Sequence, residues 1–452
     1  MKKLLYIVVR LEKNMNGINH NVIRKINKLA IPGILSMLLS TIFTIADEAI
    51  IGRIDVDGYT AVSISANIIY QVIGNLGSIS IAFSILFAKS VGKKDDESGE
   101  KIFNTVISLS VVIGLLAEVL AVVFGKALLN AIYGIKNGIL DEAYSYLVVA
   151  GFSILINLIC FVMSAFFKNM LEPRIALIAT VVALPVNFII DYTLVFGKFG
   201  FPKLRGTGAA IGTVCGLIME IIIYVISFVR KSRFKYHFKI DGAVFKEVFN
   251  LFVPLLGQDF VENTIFVLVV GGIISRYSTV LYATYAVINT IIIALTTIMY
   301  AYAGANQTLV GQAFSSKEER NKCLLYPKYS VLLAVLAYML ILTVTIIFPD
   351  KVCGIITDQY EILEKATPVV VFALVMQILN IPCQIYKYAL QSVGYERWTL
   401  IASVLMTLVC CGMIFASIFV IKGGLFGVFA AIGIFYCALA ILFIVKYTKV
   451  TK

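Results

Sequence analysis

Carboxylates are rare within the apolar stretches of this 452-residue chain, so each one found there is a candidate for chemistry. Asp47 lies in TIADEAIIGR, Asp191 in LPVNFIIDY and Thr213 in GTGAAIGTV, each flanked by long apolar sequence. Asn187 precedes Asp191 by four residues and so shares its helical face. An ionisable group at membrane depth is costly and generally faces a cavity or a partner; mere hydration near the membrane interface is the plainer alternative for Asp47 and Asp191. Two carboxyls out of water and near each other hold a proton readily. With an amide oxygen and a hydroxyl they also form an oxygen cage suited to Na⁺, a hard cation. The residue types leave that choice open. A second group is Gln258, Asp259 and Glu262 in VPLLGQDFVENTIF, with Asp259 and Glu262 on one helical face. Glu262 falls near mid-depth, and the expectation is that it and Asp259 line a central cleft and attract a cationic substrate; a structural hydrogen bond is the alternative. Lys387 falls at the end of an apolar run and is expected to snorkel to the interface. Glu118 and Glu220 receive no role.

The elements that carry these residues follow from composition. Hydrophobic residues make up 60% of the chain and charged ones 14%, too little polar surface to cover a soluble domain. A bilayer core of about 30 Å takes about 20 helical residues to cross, and lipid admits only helices or closed barrels. The apolar runs are long and unbroken, which predicts helices. Twelve spans are expected, near 29–51, 60–87, 102–124, 143–166, 175–196 and 207–229, then 248–274, 280–306, 325–348, 366–388, 397–420 and 425–447.

The net charge of +12 does not imply nucleic acid, because the basic residues cluster in short gaps between the runs. With the N-terminus inside, 28 of the 38 Lys and Arg fall on the inner side and 10 on the outer. That bias predicts a multi-pass protein of the cell membrane with both termini cytoplasmic. The organisation reads as a cytoplasmic tail at 1–28, an N-lobe at 29–229, a linker of solvated inner-leaflet charge at 230–247, a C-lobe at 248–447 and a tail at 448–452. Met1 to Val9 lacks a cleavage site and is not read as a signal peptide; translation could begin at Met1 or Met15. The eight cysteines show no disulfide or metal-ligand spacing, and His20 and His237 lie in basic polar segments, so no zinc site is expected.

The halves repeat. Pro32 and Pro254 are 222 residues apart, Arg53 and Arg276 223, and Val91-Gly92 and Val310-Gly311 219. Arg174-x3-Ile178-Ala179 recurs 223 later at Arg397, and Gly206-x2-Ala209-Ala210-Ile211-Gly212 recurs 221 later at Gly427. Five matches in order at nearly one offset indicate duplication. Six helices per half give both halves the same orientation, the parallel-repeat plan of some transporters. The expected fold is therefore all-α, two pseudo-symmetric six-helix bundles around a central cleft. At 1.5 Å per helical residue, Asp47, Asp191 and Thr213 all fall roughly 6–9 Å below the outer boundary of the N-lobe. Asn187 and Asp191 map onto Cys410 and Ile414 in the second half. The repeat thus assigns the cation site to the first lobe alone.

From Ile26 to Lys446 the chain resembles the multidrug and toxic compound extrusion (MATE) family. The resemblance rests on Leu29-Ala30-Ile31-Pro32, Asp47-x4-Gly52-Arg53, Val91-Gly92, Asn187-x3-Asp191, Gly208-Ala209-Ala210-Ile211-Gly212-Thr213 and Pro254-x7-Glu262. It implies an antiporter that expels organic cations or other toxic amphipathic compounds in exchange for Na⁺ or H⁺. It further implies that Asp47, Asn187, Asp191 and Thr213 form the cation network and that Glu262 matches an acid some members use. Asn380 departs from the pattern, standing where members with a second-lobe ion site have aspartate. Two other readings compete. A flippase for a lipid-linked precursor would show basic residues in the cleft. A membrane transferase would need two acidic metal-binding clusters, and Asp95-Asp96 is the only adjacent pair of aspartates. The expected protein is no enzyme and needs no cofactor beyond its coupling ion. Its partners are a small substrate and membrane lipid, with no nucleic acid, and it is expected to be a monomer.

Overall fold

In the computed structural model, which describes residues 20–134 and 137–451, twelve helices are long and apolar enough to span a bilayer. They are α1 His20–Ile51, α2 Val56–Lys93, α3 Asp96–Tyr133, α4 Gly138–Asn169, α5 Arg174–Phe196 and α6 Arg205–Lys231. The second half supplies α7 Gly242–Tyr277, α8 Thr279–Ser315, α9 Arg320–Ile347, α10 Tyr360–Ser392, α11 Glu396–Phe419 and α12 Gly424–Thr451. Short connections make successive helices antiparallel, so the two ends of the described chain lie on one face, here called the terminal face. Several helices begin at side-chain caps that satisfy otherwise orphan N–H groups. Asp55 caps α2 through Gly58 N, Asp95 caps α3 through Ser98 N, and Ser278 caps α8 through Leu281 N. Asp241 caps α7, accepting from Ala243 N and Val244 N at 3.0 and 3.1 Å. Those backbone donors hold its carboxyl below the ordinary carboxylate range.

Most helices extend beyond their expected ends: α1 starts at His20 rather than near 29, α3 runs to Tyr133 rather than 124, and α8 to Ser315 rather than 306. In α8 a polar stretch is buried against protein, whereas in α1 apolar residues interspersed among exposed polar ones pack on the other half. Val22, Ile26, Leu29 and Ala30 form one buried stripe, and Asn306, Gln307 and Thr308 are buried in α8. The choice between Met1 and Met15 lies outside the described residues.

Packing crosses the lobe boundaries drawn along the chain. One core gathers α2 to α6 together with Val248, Leu251 and Leu255 from the start of α7. The other gathers the rest of α7 and α8 to α12 with Val22, Ile26, Leu29 and Ala30 from the start of α1. Each half thus lends the first turns of its opening helix to the other. Pro32 and Pro254 sit at these crossings, buried, where proline removes a backbone hydrogen bond and lets a helix bend. Helix α7 also contains a π-helical turn at Phe260–Ile265, the segment that holds Glu262.

The Val-Gly repeat explains how the lobes meet at the terminal face. A Cβ on Gly92, at the end of α2, would fall on the Gln312 backbone of α8, and one on Gly311 would meet Ala88 of α2 at 2.9 Å. Gln312 Nε2 donates to the Asn169 carbonyl of α4 at 2.7 Å, and Lys25–Glu319 (2.9 Å) and Lys94–Glu318 (3.4 Å) pair around the rim.

The basic side chains of the linker are exposed, while its backbone is strapped to α3. The N–H groups of Lys235, His237, Lys239 and Asp241 donate to Glu100, Asn104, Ser108 and Thr105 along α3, at 3.1–3.2 Å. Phe234 is buried among Phe87 and Phe166, with ring centroids 5.6 and 5.8 Å away.

Candidate functional site

Helices α5 and α6 pack backbone to backbone, and glycines make that possible. Gly208, Gly212 and Gly216 form a stripe along α6. A Cβ on Gly212 would fall inside the Asp191 carboxylate, and one on Gly216 would meet the Asn187 Cβ at 2.7 Å. Asp191 is 1% exposed, and Asn187 is buried with it. Asn187 Nδ2 donates to Asp191 Oδ2 at 3.1 Å, as their i, i+4 spacing allows.

Asp47 arrives from α1, which lies along α5 and contacts it edge to face through Phe43 and Phe188, 6.3 Å apart. The Asp47 and Asp191 carboxyls are within hydrogen-bonding reach of each other. Asp47 Oδ1 and Asp191 Oδ1 are both inaccessible and without a hydrogen-bond partner. Two carboxylates contain no donor between them, so contact between them calls for a shared proton or a cation. Thr213 is half-buried, and among the described residues no hydrogen bond links its hydroxyl to either acid. Its neighbour Gly212 is the α6 residue that abuts Asp191. Sequence reasoning missed Gly212 in this role, and it missed Tyr70 of α2 and Tyr146 of α4, which stand close enough to feel both carboxylates electrostatically. An i, i+4, i+8 glycine stripe is legible in sequence; its partner helix is not.

The same place in the second lobe is apolar. Cys410 and Ile414 are fully buried in the C-lobe core. Asn380 donates to Gln377 Oε1 at 3.1 Å.

The second acidic group is placed differently from its expectation. Glu262 forms an ion pair with Lys387 at 2.7 Å, the two side chains being 18% and 6% exposed. Gln258 Nε2 adds a bond to Glu262 Oε1 at 2.8 Å and reaches Ser403 Oγ at 3.0 Å, while Gln391 donates to Gln258 Oε1 at 3.1 Å. Lys387 therefore does not snorkel: α10 points it inward, and a buried carboxylate, not the interface, satisfies it. Asp259 accepts from Ser78 Oγ of α2 at 2.7 Å, just after the break in α2 at Gly77.

A cavity of about 800 Å³ lies between the lobes, walled by α1, α2, α4, α8 and α10. Neither Asp259 nor Glu262 is on its wall. Glu262 opens instead on a separate cavity of about 40 Å³ within the C-lobe, and Tyr300 lines both.

A family model described as MatE matches residues 32–193 and again 254–418, starting each time at one of the paired prolines. The probable multidrug resistance protein NorM of Bacillus licheniformis is 22% identical over 392 residues, covering 84% of this chain and 85% of that protein. A NorM of Bacillus anthracis, described in the same words, is 28% identical over 330 residues, covering 70% and 71%. Among solved structures, a MATE in the straight conformation superposes with a TM-score of 0.86 at 16% identity, covering 95% of this chain and 96% of the other. A multidrug resistance MATE family transporter of the MOP superfamily in an outward-facing conformation gives 0.83 at 17%, over 95% and 96%. These structures share the fold: all-helical, with twelve membrane-spanning helices.

Proposed function

The chain belongs to the MATE family of multi-pass membrane transporters, and from that premise we propose that it is an antiporter exporting small amphipathic compounds in exchange for Na⁺ or H⁺. It resides in the cell membrane with both termini in the cytoplasm, as its inner-side excess of Lys and Arg favours. The observation that carries the reading is the contact between Asp47 and Asp191, each with an inaccessible oxygen that has no partner. Such a pair is incomplete without a proton or a small cation, which is what a coupling site requires.

Asp47, Asp191 and Asn187 supply the oxygens, and Thr213 can complete the set only if its hydroxyl turns toward them. Cation binding would draw α1 toward α5. Because the first turns of α1 belong to the opposite lobe's core, that movement would be felt at the junction between lobes. Loss of the cation and of substrate would then be linked to opening one face and closing the other.

The test is dye efflux from proteoliposomes under an imposed Na⁺ or proton gradient. Asp47→Asn and Asp191→Asn should each abolish gradient-driven efflux while the protein stays folded. Wild-type rates in both variants would refute the coupling assignment.

The flippase reading gains one observation, since the charged group on the wall of the central cavity is a lysine. A single ammonium is fewer charges than a pyrophosphate-linked lipid needs for capture.

A further inference from the structure

The exporter reading leaves the charge of the substrate open, and the central cavity bears on it. Among the described residues its wall carries one charged side chain, Lys168 of α4. No ion pair or side-chain hydrogen bond engages the Lys168 ammonium among those residues. None of the four acids in the two groups described above forms an ion pair with it. Glu262 is bound to Lys387, Asp259 to Ser78, and Asp47 and Asp191 are paired with each other in the N-lobe. An organic cation in this cavity would meet uncompensated positive charge at low dielectric, whereas an anion would relieve it.

The groups around Lys168 are donors with spare protons. Gln307 Nε2 is inaccessible and unpaired. Ser84 Oγ accepts from Asn169 Nδ2 at 3.0 Å, which leaves its own hydroxyl proton free to donate. Both residues line the cavity, and the remaining wall includes Met37, Ile81, Phe161 and Tyr388, surfaces for an apolar or aromatic body.

The position of the ammonium also fits. A Cβ on Gly304 of α8 would lie 3.2 Å from Lys168 Nζ, so the side chain reaches from the N-lobe to the C-lobe. The next residue, Asn169, accepts the inter-lobe bond from Gln312. A ligand held by Lys168 would therefore sit directly above the closed terminal face, touching both lobes.

We propose that the central cavity binds amphipathic organic anions, their acidic group held by Lys168, Ser84 and Gln307. The proposal rests on the exporter reading for its transport step but not for binding. The probes are fluorescein and rhodamine 6G, which share a xanthene body and carry opposite charge. Binding to detergent-purified protein is followed by fluorescence polarisation for the wild type, Lys168→Gln and Lys168→Arg. The wild type should bind fluorescein. Lys168→Gln should weaken that binding at least about tenfold, as loss of a charge-assisted hydrogen bond does. Lys168→Arg should restore it, and rhodamine 6G affinity should stay level or rise in Lys168→Gln. Equal fluorescein affinity in the wild type and Lys168→Gln, or a wild type that binds rhodamine 6G and not fluorescein, would overturn the proposal. Competition by dihexanoylphosphatidylglycerol but not dihexanoylphosphatidylcholine would keep the anion site and assign it to a lipid headgroup. Gradient-driven efflux separates this from the exporter reading. Export of rhodamine 6G alone leaves the exporter reading standing without the anion site. Lys168-dependent fluorescein binding with no export under any gradient keeps the site and removes the exporter reading.

Discussion

Replacing Lys387 by methionine removes one half of a buried ion pair and leaves the Glu262 carboxylate facing protein with no counter-charge. At 2.7 Å the gross attraction between the two groups is about 6 kcal/mol at an effective dielectric near 20. Much of that only offsets the desolvation of two ions, so the pair as a whole adds little stability over apolar packing. The single variant is another matter, because the remaining charge keeps its desolvation cost and loses its partner. Removing one member of a buried pair costs about 3–5 kcal/mol. Gln258 bonds Glu262 Oε1 at 2.8 Å and softens the loss slightly. The double variant Lys387→Met/Glu262→Gln removes both charges and should recover most of the single variant's deficit. Equilibrium unfolding in mixed micelles of mild detergent and SDS, run as a double-mutant cycle, reads this directly. The expected coupling is on the order of 2–3 kcal/mol, the larger part of the single-variant cost. Coupling below about 0.5 kcal/mol would refute the view that Glu262 is a structural partner of Lys387 and restore it as a free cleft acid. The same reasoning predicts that Glu262→Gln loses stability rather than merely changing substrate preference.

Gly212→Ala would place a methyl inside the Asp191 carboxylate, so gradient-driven efflux should fall sharply while Gly272→Ala, where a Cβ meets nothing, transports normally; equal rates would argue against this glycine seating the acid. Gly92→Ala should pry α2 from Gln312 at the terminal face, seen as a longer spin-label distance between residues introduced at 94 and 318 in the resting protein. An unchanged distance would mean that the contact adjusts without opening. The Asp241 carboxyl is held below its ordinary range by the backbone donors of Val244 and Ala243, so its cap stabilises α7 fully above that ordinary range and loses its effect as pH falls through the lowered value. Asp241→Asn should keep the cap at low pH, and faster hydrogen exchange at 243–246 in Asp241→Ala alone would register it.

Long-period features were readable in the chain. Twelve spans, the duplication and the position of the acids in the N-lobe follow from run length, fixed offset and helical rise, all of which are local or additive along the sequence. Asn187 and Asp191 belong to one face because four residues make about one turn. Cys410 and Ile414 at the matching offset read as apolar, and they are core. Burial of polar helical stretches was not readable, because a hydropathy run ends where polar residues begin even when another helix covers them. Hence the late end of α8.

The partners of charged side chains were decided by tertiary structure alone. Lys387 lies near the inner end of α10 on any count of residues, but its rotation about the helix axis points it at Glu262, 125 residues away. The same rotation question separates Thr213 from Gly212, one position apart and about 100° round the helix. Lys168 likewise reads as one more inner-side cation among 28 until α8 is placed opposite it. Sequence determined which residues share a helix and a depth, because rise and period are properties of the backbone. Which helix each of them faces depends on packing between segments far apart in the chain, and that is written in no single stretch of it.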